Sequence, residues 1–287
     1  MKKFFALALF YFCIVINAQT ENTKIPPPVT LNRTEVHKLI SKANGVTYPI
    51  FISLPGSYYN TDKTYPVVYM LDAYSSFGIV TQTAKLMAFN KELPELIIVG
   101  ISSEGGSKEF IYNRARDFTP TYVPLDKLPD DSRLMLPASG GAEKFLEFIK
   151  NELIPFVELN YRIEQNERTL IGHSLGGLFA SYVLFNQTDL FNRYVMISPA
   201  LAWDDNFIFK QEKDFFEKNK TLPVKIYTAA GSFEPKEFLE TWKEFSLFVG
   251  SRKYEGLKMK TEIAEGETHY TIIPFLVTHG LKYVFSE

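Results

Sequence analysis

The sequence predicts an α/β fold: one mostly parallel sheet with helices on both faces and an antiparallel hairpin at its N-terminal side. Three observations carry this. Residues 65–71 (YPVVYML) and 95–101 (ELIIVGI) are short, continuous apolar runs, the composition of central strands covered on both sides. Strand-like and helix-like patterns alternate along the chain, which favours strand–helix–strand units over a sandwich or a bundle. Two early segments, 35–42 and 46–54, flank Asn44-Gly45, the signature of a type I′ hairpin turn.

The elements follow in order. Lys2 and Lys3 precede an apolar run over 4–16, and Ala18 offers a small residue for cleavage. That is the layout of a secretory signal peptide over 1–18. About a dozen apolar residues are too few to cross a bilayer core of about 30 Å. An exported protein, periplasmic or extracellular, with no stable membrane span after cleavage near Ala18, is expected. Residues 19–30 are polar and end in Pro26-Pro27-Pro28, a proline-rich tether. One domain is expected over 31–287, an ordinary length for a single large α/β unit.

Within it, the hairpin leads to the strand at 65–71, a helix at 84–91 and the strand at 95–101. A longer helix is predicted at 142–160, where Phe145, Phe148, Ile149, Ile154 and Val157 fall near a 3.6-residue repeat. Pro155 should kink or reset its last turn. Strands are predicted at 169–172, 193–198, 223–230 and 258–264, and a closing helix at 271–285.

Composition excludes several functions. With 31 Lys+Arg against 33 Asp+Glu the chain has no basic footprint for nucleic acid. Cys13 is the sole cysteine and lies in the signal, so disulfides, a cysteine nucleophile and thiolate metal sites are not expected.

The chemistry is concentrated in Gly172-His173-Ser174-Leu175-Gly176, a G-x-S-x-G sequence between a short apolar strand and a small-residue helix. A nucleophile elbow requires this context. The glycines leave room for a sharp turn that lifts the Ser174 hydroxyl above the sheet. The turn also aims the Leu175 N–H at a bound carbonyl oxygen. A serine nucleophile needs a base, and the chain has four histidines. His173 adjoins Ser174, and neighbouring side chains in such a turn diverge. His37 lies in the first strand and His279 inside the last helix. His269, in a loop after the strand at 258–264, is the expected base. Its acid should follow the strand at 223–230, where Glu234 is the first carboxylate; Asp204 and Asp205, after the preceding strand, are the alternative. Glu237 and Glu240 fall on the next helix, where charges are ordinarily solvated. The order serine, acid, histidine is that of α/β-hydrolases.

These residues carry a resemblance that spans almost the whole domain. Residues 54–58 (LPGSY), 65–72 (YPVVYMLD), 116–120 (RDFTP), 172–177 (GHSLGG) and 266–269 (GETH) are similar to an esterase family. That family includes enterochelin, feruloyl and acetylxylan esterases, S-formylglutathione hydrolases and mycolyltransferases. The resemblance implies an α/β-hydrolase fold and Ser–His–acid catalysis without a cofactor or metal, and it supports Glu234, where members with a glutamate acid place it. Family members often carry Leu-Asp-Gly after the third strand, followed by a second oxyanion donor. Here the triplet is Leu71-Asp72-Ala73, so the donor falls on Tyr74 or Ala73, and Tyr74 is preferred. Residues 114–120 (RARDFTP) are similar to a segment of the enterochelin-esterase branch, in which Arg116 would hold an anionic substrate or else brace Asp117. Trp203 would stack on an aromatic or sugar substrate or else fill the core. The irregular loop at 120–140 is expected to overhang the cleft. The implied substrate is a small-molecule or saccharide ester; export sets aside S-formylglutathione, which belongs to the cytoplasm.

Overall fold

The structure, a computed structural model, describes residues 28–128, 136 and 138–286. The chain divides into two units, Met1–Asn32 and Arg33–Glu287. In the first, only 28–32 are described, and they carry no regular strand or helix. The expected signal peptide, its cleavage near Ala18 and most of the tether lie outside the described residues. All that follows concerns the second unit.

Eight strands form one sheet in the order β1-β2-β4-β3-β5-β6-β7-β8. They are β1 (Thr34–Ile40), β2 (Thr47–Ser53), β3 (Tyr65–Met70), β4 (Ile97–Ile101), β5 (Ile163–His173), β6 (Arg193–Ile197), β7 (Lys225–Gly231) and β8 (Lys258–Ala264). β2 runs antiparallel to β1 and to β4; every other pairing is parallel. The apolar runs become doubly covered strands. Val67, Tyr69 and Leu71 enter the core on one face, and Val68 and Met70 are buried on the other. Helices α1 (Ala73–Phe89) and α8 (Ile272–Phe285) pack together on one face, α1 over β4 and α8 over β6 and β7. The other face carries α5 (Leu175–Asn186) against β5 and β6. α2 (Ser107–Phe118), α3 (Ala142–Phe148), α4 (Ile154–Asn160), α6 (Trp203–Lys218) and α7 (Lys236–Ser251) contribute side chains to the same core, with α2 and α6 directly against α5.

Three local readings change. The hairpin connection runs from Ser41 to Val46, not through a two-residue type I′ turn, because only Gly45 has a positive φ (72°). The Ser41 hydroxyl accepts the N–H groups of Ala43 and Asn44, and the Asn44 carbonyl oxygen of the side chain accepts that of Val46. These bonds stabilise the wider loop. The helix expected at 84–91 begins far earlier, at Ala73. The helix at 142–160 contains a π turn, Ile149–Leu153, in which Ile154 N–H donates to Ile149 O five residues back. The widened turn immediately precedes Pro155, whose ring would otherwise crowd a carbonyl of the preceding turn.

Among the described residues no helix is long and apolar enough to cross a membrane.

Candidate active site

Ser174 alone makes the turn between β5 and α5. Its backbone lies at φ 58°, ψ −117°, which costs a non-glycine residue about 1–3 kcal/mol. Crowding forces it there. A Cβ on Gly172 would meet the Gly176 carbonyl oxygen at 2.2 Å, so strand and helix meet more closely than a side chain allows. The Ser174 N–H donates to Ile197 O at 3.0 Å, and its carbonyl accepts from Leu178 and Ala200 N–H, each at 3.0 Å. Leu175 opens α5, and its N–H has no intrahelical partner.

α1 opens in a similar way. Asp72, at φ 56°, turns the chain from β3 into the helix, leaving the Ala73 and Tyr74 N–H groups at its positive end. The Asp72 carboxylate takes two bonds from Arg114, Nε to Oδ1 at 2.9 Å and Nη2 to Oδ2 at 3.1 Å.

His269 stands in the loop after β8, with its Nδ1 2.8 Å from Oε2 of Glu234 in the loop after β7. The Glu234 side chain is fully buried. Its Oε1 accepts the Gly231 N–H at 3.0 Å and the Ser198 hydroxyl. Burial pushes this carboxyl up, but the bonds from His269, Ser198 and Gly231 outweigh it and hold the group below the usual carboxylate range. A charged carboxylate beside Nδ1 favours the tautomer with the proton there, which leaves Nε2 as an acceptor. Gly231 brings the two loops together: a Cβ there would meet the Glu267 carbonyl oxygen at 2.3 Å.

Ser174, His269, Asp72, Tyr74, Phe110 and Arg114 line one cleft of about 460 Å³. No hydrogen bond joins Ser174 Oγ to His269 in this structure. In such sites that contact often tightens only when substrate is bound.

The family described as "Putative esterase" matches residues 41–244. The chain belongs to this esterase family. It is 36% identical over 265 residues to the ferri-bacillibactin esterase BesA of Bacillus subtilis, covering 88% of this chain and 90% of that protein. The crystal structure of the BES protein from Bacillus cereus superposes with a TM-score of 0.81 at 30% identity, over 91% of this chain and 99% of the other. An IroE-like serine hydrolase from Shewanella oneidensis gives a TM-score of 0.77 at 25% identity, over 88% and 80%. The protein is accordingly a serine esterase.

Other expected residues of the esterase lie away from the cleft. Arg116 does not line it; its guanidinium is committed to Asp117 through two bonds of 2.7 and 2.8 Å. Arg114 lines it instead. Phe110, Arg114 and Phe118 are four residues apart on α2 and share a face, whereas Arg116 points about 200° around the helix from Arg114. Trp203 is buried, and its indole N–H donates to Thr121 Oγ1 at 2.9 Å. Asp204 and Asp205 lie in a left-handed turn inside α6, with φ of 46° and 51°, and neither lines the cleft. No described residue of 120–140 lines it either. His37 and His279 have their own partners, Tyr161 and Glu262, each at 2.8 Å.

Sequence reasoning brings the segment 198–203 towards the site but assigns no role of their own to Asp72, Arg114 or Ser198. The helical spacing of Phe110, Arg114 and Phe118 could have singled out Arg114; no local pattern marks Ser198.

His173 also belongs to the esterase's cleft. Its Nε2 donates to the His269 carbonyl at 2.7 Å, and the two rings lie 4.6 Å apart. Burial, aided by His269, pushes its pKa from the ordinary 6.5 down to about 4. The folded protein therefore keeps His173 neutral at pH values where the unfolded chain takes up a proton. This penalty is absent above about pH 6.5, grows as pH falls, and levels off below about 4. Urea unfolding at pH 7 and 4.5 should show His173→Gln losing about 2 kcal/mol less stability than wild type over that interval. Equal losses would remove His173 from the acid sensitivity.

Proposed function

We propose that this esterase is exported and hydrolyses ester bonds of a siderophore, through an acyl-enzyme on Ser174. The observation that carries the catalytic reading is the His269 Nδ1–Glu234 contact of 2.8 Å in the cleft that also holds Ser174. The substrate reading draws on the Bacillus subtilis relative, which is named for ferri-bacillibactin. The rings of Tyr74, Phe110 and Tyr270 in the cleft wall suit an aromatic ligand, with Arg114 paired to Asp72 beside them. Export rests on the signal-peptide layout of residues 1–18.

In this mechanism Ser174 Oγ attacks the ester carbonyl while His269 Nε2 takes its proton. Glu234 orients the imidazole and stabilises the cation that forms. The tetrahedral oxyanion is held by the N–H groups of Leu175 and Tyr74, at the N-termini of α5 and α1, where each donor contributes about 3 kcal/mol. His269 then protonates the departing alcohol. Water, deprotonated by His269, attacks the acyl-enzyme; the acid leaves and Ser174 recovers its proton.

The test is hydrolysis of an ester panel: p-nitrophenyl acetate and butyrate, methyl ferulate, acetylated xylan and ferric enterobactin. The ferric siderophore is expected to have the highest kcat/KM. A preference for the ferulate or the xylan would replace the substrate reading and keep the mechanism. Failure of a fluorophosphonate probe to label Ser174 would overturn the mechanism.

A further inference from the structure

Ser198 follows β6 directly and has no access to solvent. Its backbone is left-handed, at φ 44°. Few residues other than glycine adopt that conformation without strain. Glycine would relieve the strain, and what serine adds is a hydroxyl. That hydroxyl donates to Glu234 Oε1, beside the Gly231 N–H. The carboxylate is thus held by three donors, two on Oε1 and the His269 Nδ1–H on Oε2.

The backbone around Ser198 reaches the other half of the site. Ile197 O accepts the Ser174 N–H, Ala200 N–H donates to Ser174 O, and Ser198 N–H donates to Ala229 O in β7. One segment of four residues therefore fixes both the backbone of Ser174 and the side chain of Glu234.

We infer that Ser198 is a positioning residue of this esterase, whose hydroxyl fixes the rotation of the Glu234 carboxylate and through it the ring of His269. The inference rests on the proposed catalytic roles of Ser174, His269 and Glu234. A carboxylate held only by Gly231 and His269 is free to swing, and the imidazole then spends less time aimed at Ser174. Ground-state binding of substrate does not pass through this contact.

The experiment compares Ser198→Ala and Ser198→Gly with wild type in p-nitrophenyl butyrate kinetics, thermal melting and the rate of fluorophosphonate labelling of Ser174. Both variants should lose kcat by roughly tenfold or more, the effect of a charge-assisted hydrogen bond, with KM within about twofold. Labelling should slow in parallel. Glycine accepts the left-handed backbone, so Ser198→Gly should keep its melting temperature and carries the comparison if the alanine variant misfolds. Either folded variant with kcat within about twofold of wild type, or a change confined to KM, overturns the role of Ser198. If wild type itself is not labelled at Ser174, the catalytic reading falls; labelled wild type with variants labelled equally fast removes Ser198 alone.

Discussion

Ser174→Ala is expected to lower kcat on p-nitrophenyl butyrate at least about ten-thousand-fold while leaving the protein folded. The residual rate would come from the oxyanion donors and substrate binding. The same position makes a separate statement about stability. At φ 58°, ψ −117° Ser174 occupies a region that suits glycine alone. Ser174→Gly should therefore be equally inactive yet melt about 2–4 °C higher, the shift expected of about 1 kcal/mol in a domain of this size. Activity retained in Ser174→Ala would mean that another group attacks the ester. A lower melting temperature in Ser174→Gly would mean that the elbow is not strained.

Glu234→Gln is expected to reduce kcat by about a thousand- to ten-thousand-fold, with little change in KM. The geometry explains why an isosteric change should be so costly. Both carboxylate oxygens accept, from Ser198 and Gly231 on one side and His269 on the other. An amide has one acceptor oxygen, so its NH2 must face a donor. Either the pair at Oε1 is disrupted or the imidazole switches to the tautomer whose Nε2 carries the proton, and in that form it cannot accept one from Ser174. Asp204→Asn and Asp205→Asn should stay within about twofold of wild type, since neither carboxylate lines the cleft. Loss of activity in an Asp204 or Asp205 variant but not in Glu234→Gln would transfer the acid to α6.

Much of the scaffold was legible because parallel strands buried on both faces are written as continuous apolar runs. The runs at 65–71 and 95–101 became β3 and β4 with small changes at their ends. The beginning of α1 was not legible. Its first turns, Ala73-Tyr74-Ser75-Ser76, contain two serines and follow a left-handed Asp72, so neither propensity nor an N-cap bond marks the boundary. α2 was not predicted, and without its helical spacing Arg116 rather than Arg114 was expected at the cleft. In the cleft, Ser174 could be singled out by its glycine spacing, and His269 and Glu234 by chain order. Asp72 and Ser198 could not, because what distinguishes them is a left-handed backbone together with a partner distant in the chain. Residues that act through a second residue leave no periodic trace.

The contact between the loops after β7 and β8, drawn tight at Gly231, also bears on timing. During synthesis the elbow at Ser174 emerges while β8 and the loop that carries His269 have yet to be made. β8 is an edge strand that pairs with β7. On the proposed roles, a chain in which only β3 to β6 have assembled carries Ser174 without an aligned His269 and is expected to hydrolyse esters far more slowly than the complete fold. On the same roles, recovered turnover in a refolding experiment is expected to report the docking of β8 and the loop after it rather than collapse of the core.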